Sequence, residues 1–493
     1  MNTKSISEKA RSALLWNGGF SVVRDVVHFG VTLVLVRLLT TEDYGAYAVV
    51  MSVFAFLSAF SFENFMAHVL QVRDDREVHW QDHFTAAVVV QLAIFLVTNL
   101  VALGMRYTHD YARVAGAVHV VSCVALLACM GGFRMKVLER AHDWRRLRSL
   151  HLAGVVAGNA LAIGLAAAGA GVYALVIGPF LKYVPFLIDL FLVERWRPTF
   201  RWNASNWAAA WWFGLNRISA QAVQRSRKLV ESGIMVHLVG LAALGVYGRA
   251  VGLAQLACLQ LTSVAMQSIY PVLTRIKPGS AEYARACHLA LRGAAWFVVP
   301  VGVALATLSG PLVRLLYGSR WTEVIPILPW AMAVGAVAGL GQVLYNLVLG
   351  NLQHRACLMY DIWTLVGTVL ALGTLFATNE SSTYLGALAV VEAVGAVGLL
   401  WQLRCTSAVQ LSDVTAAILY AGVAATLALF AGKSLVAVTG LDIEAITGAA
   451  LFAAAFAATY LVCLRLLFAR SLRELLGQLP AGRHLGRLLR LTA

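Results

Sequence analysis

The 493 residues contain about 14 apolar segments, each long enough to cross a bilayer; a spanning helix needs about 20 consecutive, mostly apolar residues. The segments are 17–40, 44–70, 83–106, 111–133, 150–169, 171–193, 207–235, 239–272, 286–312, 322–349, 357–377, 383–403, 412–432 and 445–468. Inside hydrocarbon every backbone N–H and C=O must be paired within protein, and a lone apolar segment of this length achieves that only as a helix. The expected fold class is therefore all-α: a polytopic membrane protein of about 14 transmembrane helices. Charged residues make up only 13% of the chain, against about 25% in soluble domains. No loop exceeds about 20 residues, which leaves no room for an extramembrane catalytic domain between spans.

The net charge of +15 would suggest nucleic acid in a soluble protein. Here the distribution of basic residues points to membrane topology, because Lys and Arg concentrate in cytoplasmic loops. With the N-terminus inside, the inward segments collect Arg73, Arg76, the run from Arg134 to Arg148, Arg195, Arg197, Arg201, Arg275, Lys277 and Arg285. The outward loops hold few: Arg106, Arg113, Arg314, Arg320 and Lys433. Both termini are thus expected in the cytoplasm, with 471–493 a basic tail that alternates Leu with Arg and suits an interfacial helix. No nucleic-acid motif is present. The seven cysteines form no CxxC pair and no HExxH occurs, so no metal, disulfide framework or cofactor is expected.

Two spans carry polar stripes. In the first, Asn17, Ser21, Arg24, Asp25, His28 and Thr32 share one face, within about 100° at the helical period. In the seventh, Arg217, Gln221, Gln224, Lys228 and Glu231 share about 80°, with Arg225 and Arg227 flanking. A charge at mid-membrane costs about 3 kcal/mol on insertion scales. Clustered charges therefore either fix packing through local contacts or line a polar cavity. Further ionisable residues inside spans are Glu63, Lys182, Asp189, Arg249, Asp361 and Glu392. Lys182 and Asp189, seven apart, fall on one helix face and either line the cavity or pair with neighbours. The arginines offer forked donors and the lysines point charges, which suits an anionic cargo such as a diphosphate. The cationic-cavity candidates are Arg24, Arg217, Arg225, Lys228, Lys182 and Arg249. Small residues recur in 150–169, including Gly154 and Gly158, and permit close helix packing. Pro179, Pro185, Pro300 and Pro311 fall in or at the ends of spans, where they kink helices.

The polar helices each open a set of six spans, which suggests a repeated bundle around a central site. The expected organisation is a six-helix lobe at 1–200, a second at 201–406, two added spans at 407–470 and the tail.

Several stretches resemble a known family in order along the chain. They are RLLTTEDYGAYAVV from Arg37, GVYALVIGPFLKYVPFLIDLFLVERWRPTF from Gly171, LGVYGRAVGLAQL from Leu244, QSIYPVLTRI from Gln267 and PLVRLLYGSRWTEVIPILPWA from Pro311. Together they resemble the polysaccharide (Wzx-type) flippases of the multidrug/oligosaccharidyl-lipid/polysaccharide exporter superfamily. The resemblance covers most of 10–350; the last 140 or so residues match only as apolar spans. It implies a two-lobed transporter, not an enzyme, in the bacterial inner membrane. The implied cargo is an undecaprenyl-diphosphate-linked oligosaccharide for lipopolysaccharide or exopolysaccharide assembly, delivered to polysaccharide polymerase machinery. Many relatives carry an Asp near the end of the seventh span, where this chain has Glu231 as its nearest carboxylate. Asp25, Glu63 and Glu231 are the candidates for coupling to an H⁺ or Na⁺ gradient. Alternatives of the same superfamily are a multidrug antiporter, whose cavity would be acidic or aromatic, and a lipid II flippase. A membrane polymerase or ligase would need a sizeable outer loop, which the sequence does not contain.

Overall fold

The computed structural model describes residue 24, residues 26–61, 65–66, 69, 78–108, 111–201, 203–260, 262–263, 266, 270, 273, 276–407 and 409–469. Between 204 and 220 the helix path is described but most side chains are not. Among the described residues, 11 helices are long and apolar enough to cross a membrane, and a shorter apolar helix, α1, covers Val26–Leu38. The chain is a multi-pass membrane protein. The helices are α2 (Thr41–Ser58), α3 (Trp80–Arg106), α4 (Ala112–Arg140), α5 (Trp144–Ala167), α6 (Val172–Val193), α7 (Ala204–Ala254), α8 (Ala281–Thr307), α9 (Ser309–Leu316), α10 (Val324–Gly350), α11 (His354–Thr378), α12 (Ser381–Thr406), α13 (Leu411–Val438) and α14 (Ile446–Leu467). No strand occurs among the described residues. The tail, 470–493, lies outside them.

The boundaries follow local chemistry. Thr40 and Asp43 cap α2 reciprocally: the Thr40 hydroxyl accepts from the Asp43 amide at 3.2 Å, and the Asp43 carboxylate accepts from the Thr40 amide at 2.9 Å. Such a cap contributes about 1 kcal/mol. The α7 helix breaks at Gly240, whose φ of 83° and ψ of 174° suit only glycine. The expected division between the seventh and eighth spans, at 236–238, lies a few residues before it. One expectation differs. The basic run from Arg134 to Arg148 is mostly helical, because α4 runs on to Arg140 and α5 starts at Trp144 behind an Asp143 cap. Only a tight turn separates them, so basic side chains read as loop residues sit on helix ends.

The chain forms two compact units, Met1–Gly245 and Val246–Ala493. In the first, α3 packs along α4, and α5 along the middle of α6. Its core is small and aromatic: Phe84, Phe133, Met66 and Leu190, with Trp80 and Trp196 against them. Within this unit Gly45 of α2 and Gly245 of α7 are points of close backbone approach. A Cβ on Gly45 would strike the Leu241 carbonyl, and one on Gly245 the Thr41 carbonyl. Two of the motif stretches, TTEDYG and LGVYG, therefore meet backbone to backbone.

The second unit has two larger cores. One joins Tyr283, Leu291, Leu344, Leu347 and Leu403. The other packs Ala421, Ala424, Ala425 and Ala428 of α13 against Phe452, Phe456 and Tyr460 of α14. The Tyr460 hydroxyl donates to the Trp296 carbonyl at 2.8 Å and ties α14 to α8. In lipid, such pairs cohere through close contact rather than burial from water. The LLYGSRW stretch makes a tight corner between α9 and α10, with Gly318 at φ 86° and Tyr317 and Trp321 buried. Burial pushes the Tyr317 phenol up to about 12, with Arg249 pulling the other way.

Candidate functional site

The first unit holds a mostly apolar pocket with a few polar groups, set against an interrupted helix. Along α6 the helix is α over Val172–Ile177, 3-10 over Gly178–Tyr183, α over Val184–Ile188 and π over Asp189–Val193. Pro179 and Pro185 cause part of this, since each removes an amide donor and crowds the preceding turn. The neighbours cause the rest. A Cβ on Gly154 would lie 2.5 Å from the Lys182 carbonyl oxygen, one on Gly131 2.7 Å from the Tyr183 carbonyl oxygen, and one on Gly158 would strike the Gly178 carbonyl. The 3-10 stretch is thus seated on bare backbone of α4 and α5, and this seating fixes Lys182.

A cavity of about 230 Å³ opens beside Lys182. Ser58, Ser61, Gln91 and Tyr183 give it polar groups, Phe54 and Phe180 aromatic walls, and no carboxylate lines it among the described residues. Lys182 Nζ stands 5.0 Å from the centre of the Tyr183 ring, a cation–π distance. Arg225 of α7 reaches the same wall and donates to the Ser58 hydroxyl at 2.8 Å and to the Ala55 carbonyl at 2.9 Å. Lys182, Arg148 and Arg24 all act electrostatically on His151 of α5, and Arg24 acts on Arg148.

The structure thus brings three of the sequence candidates, Arg24, Lys182 and Arg225, into one unit around shared neighbours. Lys228 is exposed on α7, and Glu231 is half-buried one turn further on. Arg249 belongs to the second unit and lies near Tyr317. Asp25 and Glu63 lie outside the described residues, as does the side chain of Arg217. Arg148 and His151 were not among the candidates. Arg148 ends the basic run that signals topology and His151 belongs to neither polar stripe, yet the two lie three residues apart on α5 and continue towards the Gly154/Gly158 ridge. That spacing was the available signal.

Asp189 has cationic partners other than Lys182. Its carboxylate accepts from Arg134 Nε at 2.6 Å and pairs with Arg146 at 2.7 Å; Glu194 pairs with Arg134 at 2.8 Å and Arg146 at 2.7 Å. Arg134 and Asp189 are nearly fully buried, with side chains 8% and 5% exposed. Two arginines and two carboxylates cancel, so this network ties α4, α5 and α6 together without adding net charge. In the second unit, buried Asp361 accepts from the Tyr345 hydroxyl at 3.2 Å and buried Glu392 from the Tyr360 hydroxyl at 2.9 Å. No cluster of His, Cys, Asp and Glu suited to a metal occurs among the described residues.

Comparison with known proteins agrees with this architecture. The succinoglycan biosynthesis transport protein ExoT of Rhizobium meliloti is 23% identical over 398 residues, covering 78% of this chain and 79% of its own. The lipopolysaccharide biosynthesis protein WzxC of Escherichia coli is 18% identical over 374 residues, 73% of each chain. Among solved structures, the lipid II flippase MurJ in an inward closed conformation matches with a TM-score of 0.73 at 11% identity, over 93% of this chain and 99% of that one. An inward-facing multidrug resistance MATE family transporter of the MOP superfamily matches with a TM-score of 0.58 at 14% identity, over 78% and 95%. The fold is therefore that of this transporter class. The family model described as polysaccharide biosynthesis protein matches residues 34–326, more than half of the sequence, and the chain belongs to that family.

Proposed function

We propose that this protein is a flippase that moves undecaprenyl-diphosphate-linked oligosaccharide repeat units across the bacterial inner membrane for lipopolysaccharide or exopolysaccharide assembly. The observation that supports the reading is the pocket beside Lys182, which lies within a membrane-spanning helix and has a lysine and no carboxylate in its lining among the described residues. Moving a diphosphate through hydrocarbon is prohibitive without compensation. A cation at about 4 Å returns roughly 4 kcal/mol per unit charge at an effective dielectric constant of 20. The pocket is smaller than the roughly 300 Å³ at which drug-sized sites begin, so it suits a charged head group rather than a whole saccharide. The names of ExoT and WzxC, which concern transport and biosynthesis of polysaccharides, support this cargo class.

In this reading the lobes 1–200 and 201–406 expose the cationic groups Arg24, Lys182, Arg217, Arg225, Lys228 and Arg249 to each side in turn. Both termini face the cytoplasm, and the translocated lipid feeds a polysaccharide polymerase. Coupling to H⁺ or Na⁺ would use Glu231, Asp25 or Glu63. A multidrug antiporter shares the fold, but a cationic pocket disfavours cationic drugs.

The test is complementation of a deletion strain, scoring surface polysaccharide and lipid-linked intermediates, with wild type, Arg24→Ala and Lys182→Ala at matched membrane levels. Loss of surface polymer with accumulated lipid-linked units supports the reading. Full activity of both variants removes the cationic path.

A further inference from the structure

The segment that leaves α6, residues 194–201, is built unlike a free linker. Trp196 packs against both Phe84 and Phe133, with ring centres at 4.8 and 5.4 Å. Its amide donates to the Leu190 carbonyl at 3.1 Å, and Arg195 takes a left-handed φ of 50° to make the turn. Beyond it the chain is clamped to α3. The Gln81 amide group donates to the Arg197 carbonyl at 3.1 Å and accepts from the Thr199 amide at 2.8 Å. Thr85 accepts from the Arg201 amide at 3.1 Å. Pro198 stiffens the middle.

This rigid segment presents Arg195, Arg197 and Arg201, all exposed and none in an ion pair among the described residues. The nearby acids cannot neutralise them: Asp189 and Glu194 are held by Arg134 and Arg146, and Asp82 of α3 is buried. Between and beside the arginines stand large apolar side chains open to the surroundings: Leu192 at 70%, Val193 at 62% and Phe200 at 69% exposed. Three unpaired cations on a clamped main chain, interleaved with exposed apolar groups at the end of a membrane span, match the boundary where acyl chains meet phosphate.

We infer that residues 192–201 form a docking site for anionic phospholipid head groups. The lipid's phosphate meets the arginines while Leu192, Val193 and Phe200 enter the acyl region. The site does not depend on the transported cargo.

The experiment uses the purified full chain in neutral detergent. Thermal stabilisation is titrated with phosphatidylglycerol and, separately, with phosphatidylcholine. Wild type should be stabilised at a lower mole fraction of phosphatidylglycerol. Replacing Arg195, Arg197 and Arg201 together by Gln should weaken that preference about a hundredfold, since each basic residue near an anionic surface contributes about a fivefold factor. The matching triple Lys variant should keep most of it. Arg106→Gln, at the other end of α3, should leave it unchanged. If the triple Gln variant does not fold, Arg197→Gln alone should show the fivefold loss. An unchanged phosphatidylglycerol preference in the Gln variants would overturn the proposal. So would equal stabilisation by free glycerol phosphate, which would mean simple anion binding.

Discussion

The α5–α6 pair of the first unit and the α13–α14 pair of the second solve the same packing problem in opposite ways. Both bring two spans into close contact without help from the hydrophobic effect, which lipid does not supply. The α13–α14 pair uses side chains. Alanines at 421, 424, 425 and 428 make a shallow face that receives Phe452, Phe456 and Tyr460, spaced four residues apart. Both helices stay regular. The α5–α6 pair uses backbone. Glycines at 154 and 158 receive peptide groups of α6 directly, and α6 gives up regular α geometry to fit. Side-chain packing yields adhesion. Backbone packing also fixes an irregular stretch at one height, with its lysine lining a cavity, as the proposed function requires.

The largest effect should come from the charges that hold the irregular helix. Asp189→Asn leaves buried Arg134 and half-buried Arg146 short of a carboxylate, and breaking a buried pair in this way costs about 3–5 kcal/mol. Membrane abundance and detergent melting temperature should both fall sharply. Near-normal stability would mean that the network is dispensable and that the glycine seat alone fixes α6.

The comparison itself is sharpened by a matched pair of substitutions. In Gly154→Ala the new methyl meets the Lys182 backbone, which cannot move without displacing the 3-10 stretch, and about 1–3 kcal/mol should be lost. In Gly432→Ala it lies 2.9 Å from Phe452 ring carbons, and a ring can shift. The loss there should stay below about 1 kcal/mol. Equal losses, read as the difference in melting temperature, would erase the distinction between backbone and side-chain packing.

Much of this was legible in the sequence because hydropathy and membrane thickness leave few choices. The spans, the division near Gly240 and the close-packing role of Gly154 and Gly158 all follow from residue type and spacing. The partners of Asp189 did not. Helical periodicity placed it on the face of Lys182, but 3-10 and π stretches change the phase between 178 and 193. Its partner Arg134 lies 55 residues away in sequence. Arg148 was hidden for a different reason. Basic residues at span ends carry topology and chemistry at once, and composition cannot separate the two roles. Only its placement near Arg24 and around His151, which Lys182 also approaches, distinguishes Arg148 from the exposed arginines of 195–201.

The most direct measurement is translocation by purified protein in proteoliposomes, following a fluorescent undecaprenyl-diphosphate-linked saccharide from one leaflet to the other. Wild type is compared with Lys182→Met, which keeps the size and removes the charge, and with Lys182→Arg, which restores it. Passage through a cationic pocket predicts at least a tenfold slower rate for Lys182→Met at unchanged melting temperature, since about 1.4 kcal/mol of lost attraction is enough. It also predicts substantial recovery in Lys182→Arg. Wild-type rates in Lys182→Met would show that the cargo's charge never meets this pocket, and the cationic path would be contradicted.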